Sequence, residues 1–183
     1  MNDPLTQTLA QRLGHRFADP DLLVRALTHS STGSPNYERL EHLGDAVLDL
    51  TVAAWLYRDF PHFGPGQMSI LRAELVRAET LARLARQLAL PQALRLSERA
   101  DARGFRQRAG ILSDALEAVA GALFVDSRSL AAVDAFFLPL IRPLADAAIR
   151  RDPGFYHHLL DAEDRRVSPM IVPALVGDSG GAR

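Results

Sequence analysis

The sequence predicts an all-α protein. Apolar residues recur at intervals of three and four through most of the chain, no stretch alternates in the manner of a half-buried strand, and Gly and Pro punctuate the pattern at helix-length spacings. The chain has 183 residues, 48% of them hydrophobic, enough to bury a core in one domain of ordinary size. No apolar run reaches the ~18 residues of a membrane span. The N-terminus lacks a basic-then-apolar leader pattern, and there is no Cys for disulfide or thiolate chemistry. These features point to a cytoplasmic protein.

Taken in order, Pro4 opens a short helix with Leu5, Leu9 and Leu13 on one face, and Gly14 ends it. Asp19-Pro20-Asp21 reads as an N-cap with Pro in the first turn, and Leu22, Leu23, Ala26 and Leu27 carry a second helix to Thr28. Gly33-Ser34-Pro35-Asn36 is a loop. A long helix is expected from about Tyr37 to Tyr57 or Asp59, broken by the Pro- and Gly-containing run from Phe60 to Gly66. Helices from Gln67 through Glu79 and from Thr80 to Leu90 follow, and residues 94–104 read as an exposed charged loop. The pattern of Ile111, Leu112, Leu116, Val119, Ala120, Leu123 and Phe124 predicts a helix from Ala109 to Ser127. Ala115, Ala118, Gly121 and Ala122 give it a side of small residues that lets another helix come close. Residues 130–149 form a last amphipathic helix, or a pair interrupted at Pro139 and Pro143.

Net charge is −1, yet the charges are unevenly placed. From Asn36 to Phe60 five acids face two arginines, whereas from Ile70 to Gly110 nine arginines face four acids. All 21 basic residues are Arg. Codon bias is the ordinary reading of that uniformity, although Arg is also the better residue for planar phosphate contacts.

The acidic stretch is the Tyr37–Leu50 helix. At about 100° per residue, Leu40, Leu43, Val47 and Leu50 form an apolar stripe and Glu38, Glu41, Asp45 and Asp49 lie together on the opposite side. A solvated acidic face is the ordinary explanation. Two details oppose it. No bases are interleaved at i+4, and Gly44 sits mid-helix at a cost of about 1 kcal/mol relative to Ala, which implies a close neighbour. A second pair, Asp114 and Glu117, shares a face of the 109–127 helix, with no Arg at i±4 from either. Taken alone, these could be acids near a helix start. Together the two pairs offer four carboxylates that would repel unless a hard cation neutralised them, and an oxygen-only donor set favours Mg²⁺ or Mn²⁺. Beside an Arg-rich segment, such a site suggests phosphoester chemistry, with the basic side chains on a phosphate backbone.

The run Glu38-Arg39-Leu40-Glu41-His42-Leu43-Gly44-Asp45-Ala46-Val47-Leu48 resembles the signature of the ribonuclease III family, usually written ERLEFLGDAVL. Ala26-Leu27-Thr28-His29 resembles that family's lead-in, and Gly66-Gln67-Met68-Ser69 with Arg72-Ala73 and Leu75-Val76 resembles its next helix. Gly104-Phe105-Arg106 and the run Ile111 to Ala118 resemble its second acidic motif. The resemblance covers roughly residues 5 to 150 and implies a helical endonuclease domain acting as a homodimer on double-stranded RNA. Each subunit would cut one strand with a water nucleophile and no covalent enzyme intermediate, leaving a 5′-phosphate, a 3′-hydroxyl and a two-nucleotide 3′ overhang. It implies Glu41, Asp45, Asp114 and Glu117 as Mg²⁺ ligands, with Mn²⁺ able to substitute. Asp45 and Glu117 would be the most critical to catalysis, and Glu38 a supporting acid near the dimer face. The surface around the signature helix would pack against its twin, giving Gly44 its reason. Arg72, Arg106 and Arg108 are candidate RNA contacts, in ribosomal or messenger RNA maturation.

Three departures from the family pattern stand out. His42 replaces the usual Phe at the dimer interface, and Pro65 stands where an assisting acid is usual. After residue 150, where the expected nuclease domain ends, residues 151–183 form a short tail that does not resemble the family's double-stranded-RNA-binding domain and has the composition of a partly disordered end. His157, His158 and Asp161 in that tail suggest a short amphipathic segment rather than a metal site, since adjacent histidines point apart on a helix. Two other functions compete: a non-catalytic RNA-binding scaffold on the same fold, and a helical nucleotide hydrolase. Retention of all four principal carboxylates favours the nuclease.

Overall fold

The computed structural model describes residues 4–154, so His157, His158, Asp161 and nearly all of the expected tail lie outside the described residues. Helices make up most of the described residues: α1 (Pro4–Leu13), α2 (Pro20–Ala26), α3 (Glu38–Asp59), α4 (Pro65–Val76), α5 (Ala78–Gln87), α6 (Leu90–Ala93), α7 (Glu98–Ala102), α8 (Ala109–Ser127) and α9 (Leu130–Arg151). Among these, no helix is long and apolar enough to cross a membrane.

The buried axis of the molecule is α8. Its Leu112, Leu116, Val119, Ala120 and Leu123 are fully buried, and α2, α3, α5 and α9 surround it. Its most extensive partner is α3, and glycine decides how closely the two approach. A Cβ on Gly44 would lie 1.7 Å from the Glu117 carbonyl oxygen, and one on Gly121 would lie 2.2 Å from that of Leu40. Gly44 therefore answers to α8 of its own chain, through the small-residue side that the sequence displayed, rather than to a twin subunit. Because α3 buries its Gly44, Leu48, Thr51 and Trp55 side, the expected stripe divides: Leu40 and Val47 are buried, while Leu50 is 56% exposed. Ala46, Leu50, Ala53 and Tyr57 form an outer face, with Tyr57 78% exposed.

Local signals place most boundaries. Asp19 caps α2 by accepting from the Asp21 amide at 3.0 Å, as its N-cap position predicts. The α4 and α5 helices begin about two residues earlier than expected, with Pro65 in the first turn of α4, and a short α6 follows. Pro139 and Pro143 do not divide α9. They lie one turn apart on its exposed side, where water can satisfy the carbonyls they leave without donors, while Phe137, Ile141 and Ala145 are fully buried opposite.

Residues 94–104 are not the open loop expected. Leu94 and Ala100 are buried, Ser97 caps α7, and Arg95 pairs in parallel with the segment before α3, through Arg95 N to Leu27 O (2.8 Å) and His29 N to Arg95 O (3.0 Å). The clasp is Arg106, which donates to the carbonyls of Pro91 (2.6 Å) and Leu94 (2.7 Å) and to both oxygens of Asp101 (2.9 and 2.7 Å). Arg106→Leu should lower stability by about 1–2 kcal/mol, as charge-assisted bonds to two backbone carbonyls are lost. A lower urea midpoint with new proteolytic cuts between residues 91 and 108 is the expected result.

Candidate metal centre

The α3–α8 crossing brings the two acidic pairs together. Glu41 on α3 and Asp114 and Glu117 on α8 each place a carboxylate oxygen such that all three lie within 4.8 Å of one another, in partly buried positions. Asp45, one turn beyond Glu41, is exposed and outside this triplet, but close enough for its charge to act on both Glu41 and Glu117. Glu38 stands exposed in the first turn of α3, and its charge acts on Glu41.

Burial and mutual repulsion both oppose ionisation here. Glu117 titrates at about 7, raised first by burial and then by Asp45, Asp114 and Glu41, while the Ser113 hydroxyl, donating at 3.0 Å, works in the other direction. Glu41 is raised by burial, then by Asp114, Glu38 and Asp45. Burial also raises Asp114, against the lowering effect of the nearby Tyr37 hydroxyl. This donor set is all oxygen and has an anionic surplus. An octahedral hard cation with bonds of ~2.1 Å needs its ligand oxygens about 3–4 Å apart, so the triplet requires only a modest contraction. The residues fit a divalent cation.

The arginines are less uniform than the sequence implied. Arg72 is paired with Asp49 at 2.6 Å, bracing α4 on α3, and Arg106 is turned inward as the clasp. Arg108 is exposed and lies 4.0 Å over the Phe105 ring, at the N-terminus of α8. Three residues of the site went unremarked as site residues in the sequence: Ser113, legible four positions before Glu117, and Tyr37 and His29, whose burial depends on contacts distant in the chain.

A family model described as Ribonuclease-III-like matches residues 19–144. The chain belongs to the ribonuclease III family. It is 47% identical over 150 residues to Ribonuclease 3 of Dechloromonas aromatica, covering 80% of this chain and 68% of that one. It is 42% identical over 186 residues to Ribonuclease 3 of Thiobacillus denitrificans, covering 100% and 81%. The nuclease domain of ribonuclease III from Campylobacter jejuni shares its fold with a TM-score of 0.72 at 40% identity, over 75% of this chain and 96% of that domain. Divalent-metal use is what ribonuclease III membership implies, and the carboxylate cluster lies within the matched span.

Proposed function

We propose that this chain is a Mg²⁺-dependent endoribonuclease for double-stranded RNA, with residues 1–150 as the nuclease unit. The observation that carries the proposal is the triplet Glu41, Asp114 and Glu117, held together by two helices that meet at glycines, with Asp45 beside it. In this reading the four carboxylates hold Mg²⁺, for which Mn²⁺ substitutes. The cation, when bound, supplies Lewis acidity toward the phosphoryl oxygens and activates the attacking water. Asp45 and Glu117 orient that water and receive its proton, and Glu38 adds negative potential at the edge of the site. Arg108, presented on Phe105, meets the phosphate backbone, and A-form geometry is read with little base contact.

The products would be a 5′-phosphate and a 3′-hydroxyl. A second copy seated on the outer apolar face of α3, around Ala46, Leu50, Ala53 and Tyr57, would set two sites across the duplex and produce a two-nucleotide 3′ overhang. The nuclease domain of the C. jejuni protein has a region involved in dimer formation, which supports that arrangement. His42, exposed on α3, replaces the bulkier Phe and should loosen this contact. Structured ribosomal and messenger RNA precursors in the cytoplasm are the natural substrates under this reading.

The test is cleavage of a perfect RNA duplex of about 30 base pairs at low salt, with Mg²⁺ and with chelator. Staggered cuts with 5′-phosphates, lost in chelator, are expected. A folded dimer that binds duplex and Mn²⁺ without cutting would overturn the nuclease and leave an RNA-binding scaffold.

A further inference from the structure

Ser113 stands one turn before Glu117 and is 3% exposed, the one polar side chain among the buried residues of α8. A serine inside a helix ordinarily turns its hydroxyl back to the carbonyl four residues earlier. Here the hydroxyl goes forward, donating to Glu117 Oε1 at 3.0 Å. Ser113 and Asp114 precede Glu117 by four and three residues, so they flank its side chain on either side. One flank repels the carboxylate and the other holds it. The Glu117 main chain is fixed separately, its carbonyl oxygen lying so close to Gly44 that a Cβ there would come to 1.7 Å. The side-chain torsions are what the crossing leaves free, and the hydroxyl restrains them.

We propose that Ser113 is a positioning residue for the cation site, its buried hydroxyl holding the Glu117 carboxylate beside Glu41 and Asp114 before a cation arrives. This rests on the reading of those carboxylates as cation ligands. The oxygens of the three acids lie within 4.8 Å of one another, so repulsion drives the Glu117 side chain toward other rotamers unless a donor restrains it. Water competes little for a hydroxyl this buried. The hydrogen bond occupies a single lone pair of Oε1 and leaves Oε2 open to a cation. An Arg or Lys at 113 would hold Glu117 as well, but would cancel the negative charge that a cation requires. A ligand ordered in advance lowers the cost of ordering it on binding. Hydrogen-bond partners of metal ligands commonly change metal affinity by about 10–100-fold when removed.

The test uses the full chain and Ser113→Ala, which removes the hydroxyl, adds no bulk and suits a helix better than Ser. Mn²⁺ binding is measured by calorimetry, duplex cleavage is followed as a function of Mg²⁺, and urea unfolding is recorded in chelator. The expected result is Mn²⁺ affinity lower by about tenfold and a matching rise in the Mg²⁺ needed for half-maximal cleavage. The rate at saturating Mg²⁺ should stay within about threefold of wild type, because the cation, once bound, holds Glu117 itself. The urea midpoint in chelator should stay within about 10% of wild type, since Glu117 is only partly buried and its freed oxygen can take water instead. Unchanged Mn²⁺ affinity would overturn the positioning role while leaving the nuclease reading intact. A loss of Mn²⁺ affinity accompanied by a lower midpoint and a lower saturated rate would overturn it too, showing that the hydroxyl supports the helix rather than the ligand. A wild-type chain that binds no Mn²⁺ would overturn both readings.

Discussion

Gly44→Ala is expected to destabilise the protein by about 3 kcal/mol or more and to remove cation binding with it. The added methyl would sit 1.7 Å from the Glu117 carbonyl oxygen, 2.5 Å from its carbon and 2.9 Å from the Gly121 amide nitrogen. All three are backbone atoms of α8 and cannot rotate aside, so the helices must move apart by about 1.5 Å to restore an ordinary contact. Ala would gain roughly 1 kcal/mol in helix propensity over Gly, but separating two helices that share the largest interface in the fold costs more. The movement also acts on function, because Glu41 and Glu117 flank the contact and functional groups tolerate displacements of only about 0.5 Å. A lower urea midpoint and loss of Mn²⁺ binding would meet the expectation. Unaltered stability would show that α3 and α8 do not meet at Gly44. Gly121→Ala should behave alike, and the double variant should cost less than the sum, since both methyls obstruct one crossing.

This crossing also shows how far the sequence could be read. Glycine in the middle of a helix signalled a close neighbour, and the small side chains around Gly121 signalled a helix able to provide one. Nothing in a linear pattern says which small face meets which glycine, so a twin subunit and α8 were equally available as partners. The acidic pairs were legible because spacings of three and four residues put them on one side of a helix whatever lies elsewhere. Their convergence follows from the crossing. Tyr37 and His29 were less legible, because an aromatic before a helix and a His in a loop become site residues only when Phe105 and Asp114 arrive from more than sixty residues away. Residues 94–104 misled for a similar reason. Glu98, Arg99, Asp101 and Arg103 are exposed as expected, but Leu94 and Ala100 are buried and Arg106, just beyond the stretch, turns inward to hold the carbonyls of Pro91 and Leu94. In α9 the prolines read as breaks because the sequence does not reveal that both face water.

Glu117→Gln should cost about 10³-fold in duplex cleavage while making the cation-free protein more stable at neutral and alkaline pH. The two effects share one cause. In the folded chain Glu117 titrates at about 7 against an ordinary 4.5, chiefly through burial, so between those values the folded state retains a proton that the unfolded chain has released. Stability therefore falls as pH rises through that window: the favourable contribution is complete below about 4.5 and lost above about 7. Glu41 and Asp114 are shifted in the same direction. The rise at Glu117 corresponds to ~3.4 kcal/mol at most, and partial solvation of the site reduces this to the order of 1–2 kcal/mol. Gln is neutral at every pH and still accepts the Ser113 hydroxyl, so the variant should lose much of that pH dependence and unfold later than wild type at pH 8 with chelator present. Added Mg²⁺ should reverse or narrow the order, because an ion bound only by the folded state stabilises wild type by mass action and finds one ligand fewer in the variant. Urea denaturation of both proteins from pH 4.5 to 8, with and without Mg²⁺, reads all of this. A variant less stable than wild type in chelator at pH 8 would show that the Glu117 charge is already compensated within the protein, and that the cluster needs no cation to relieve it.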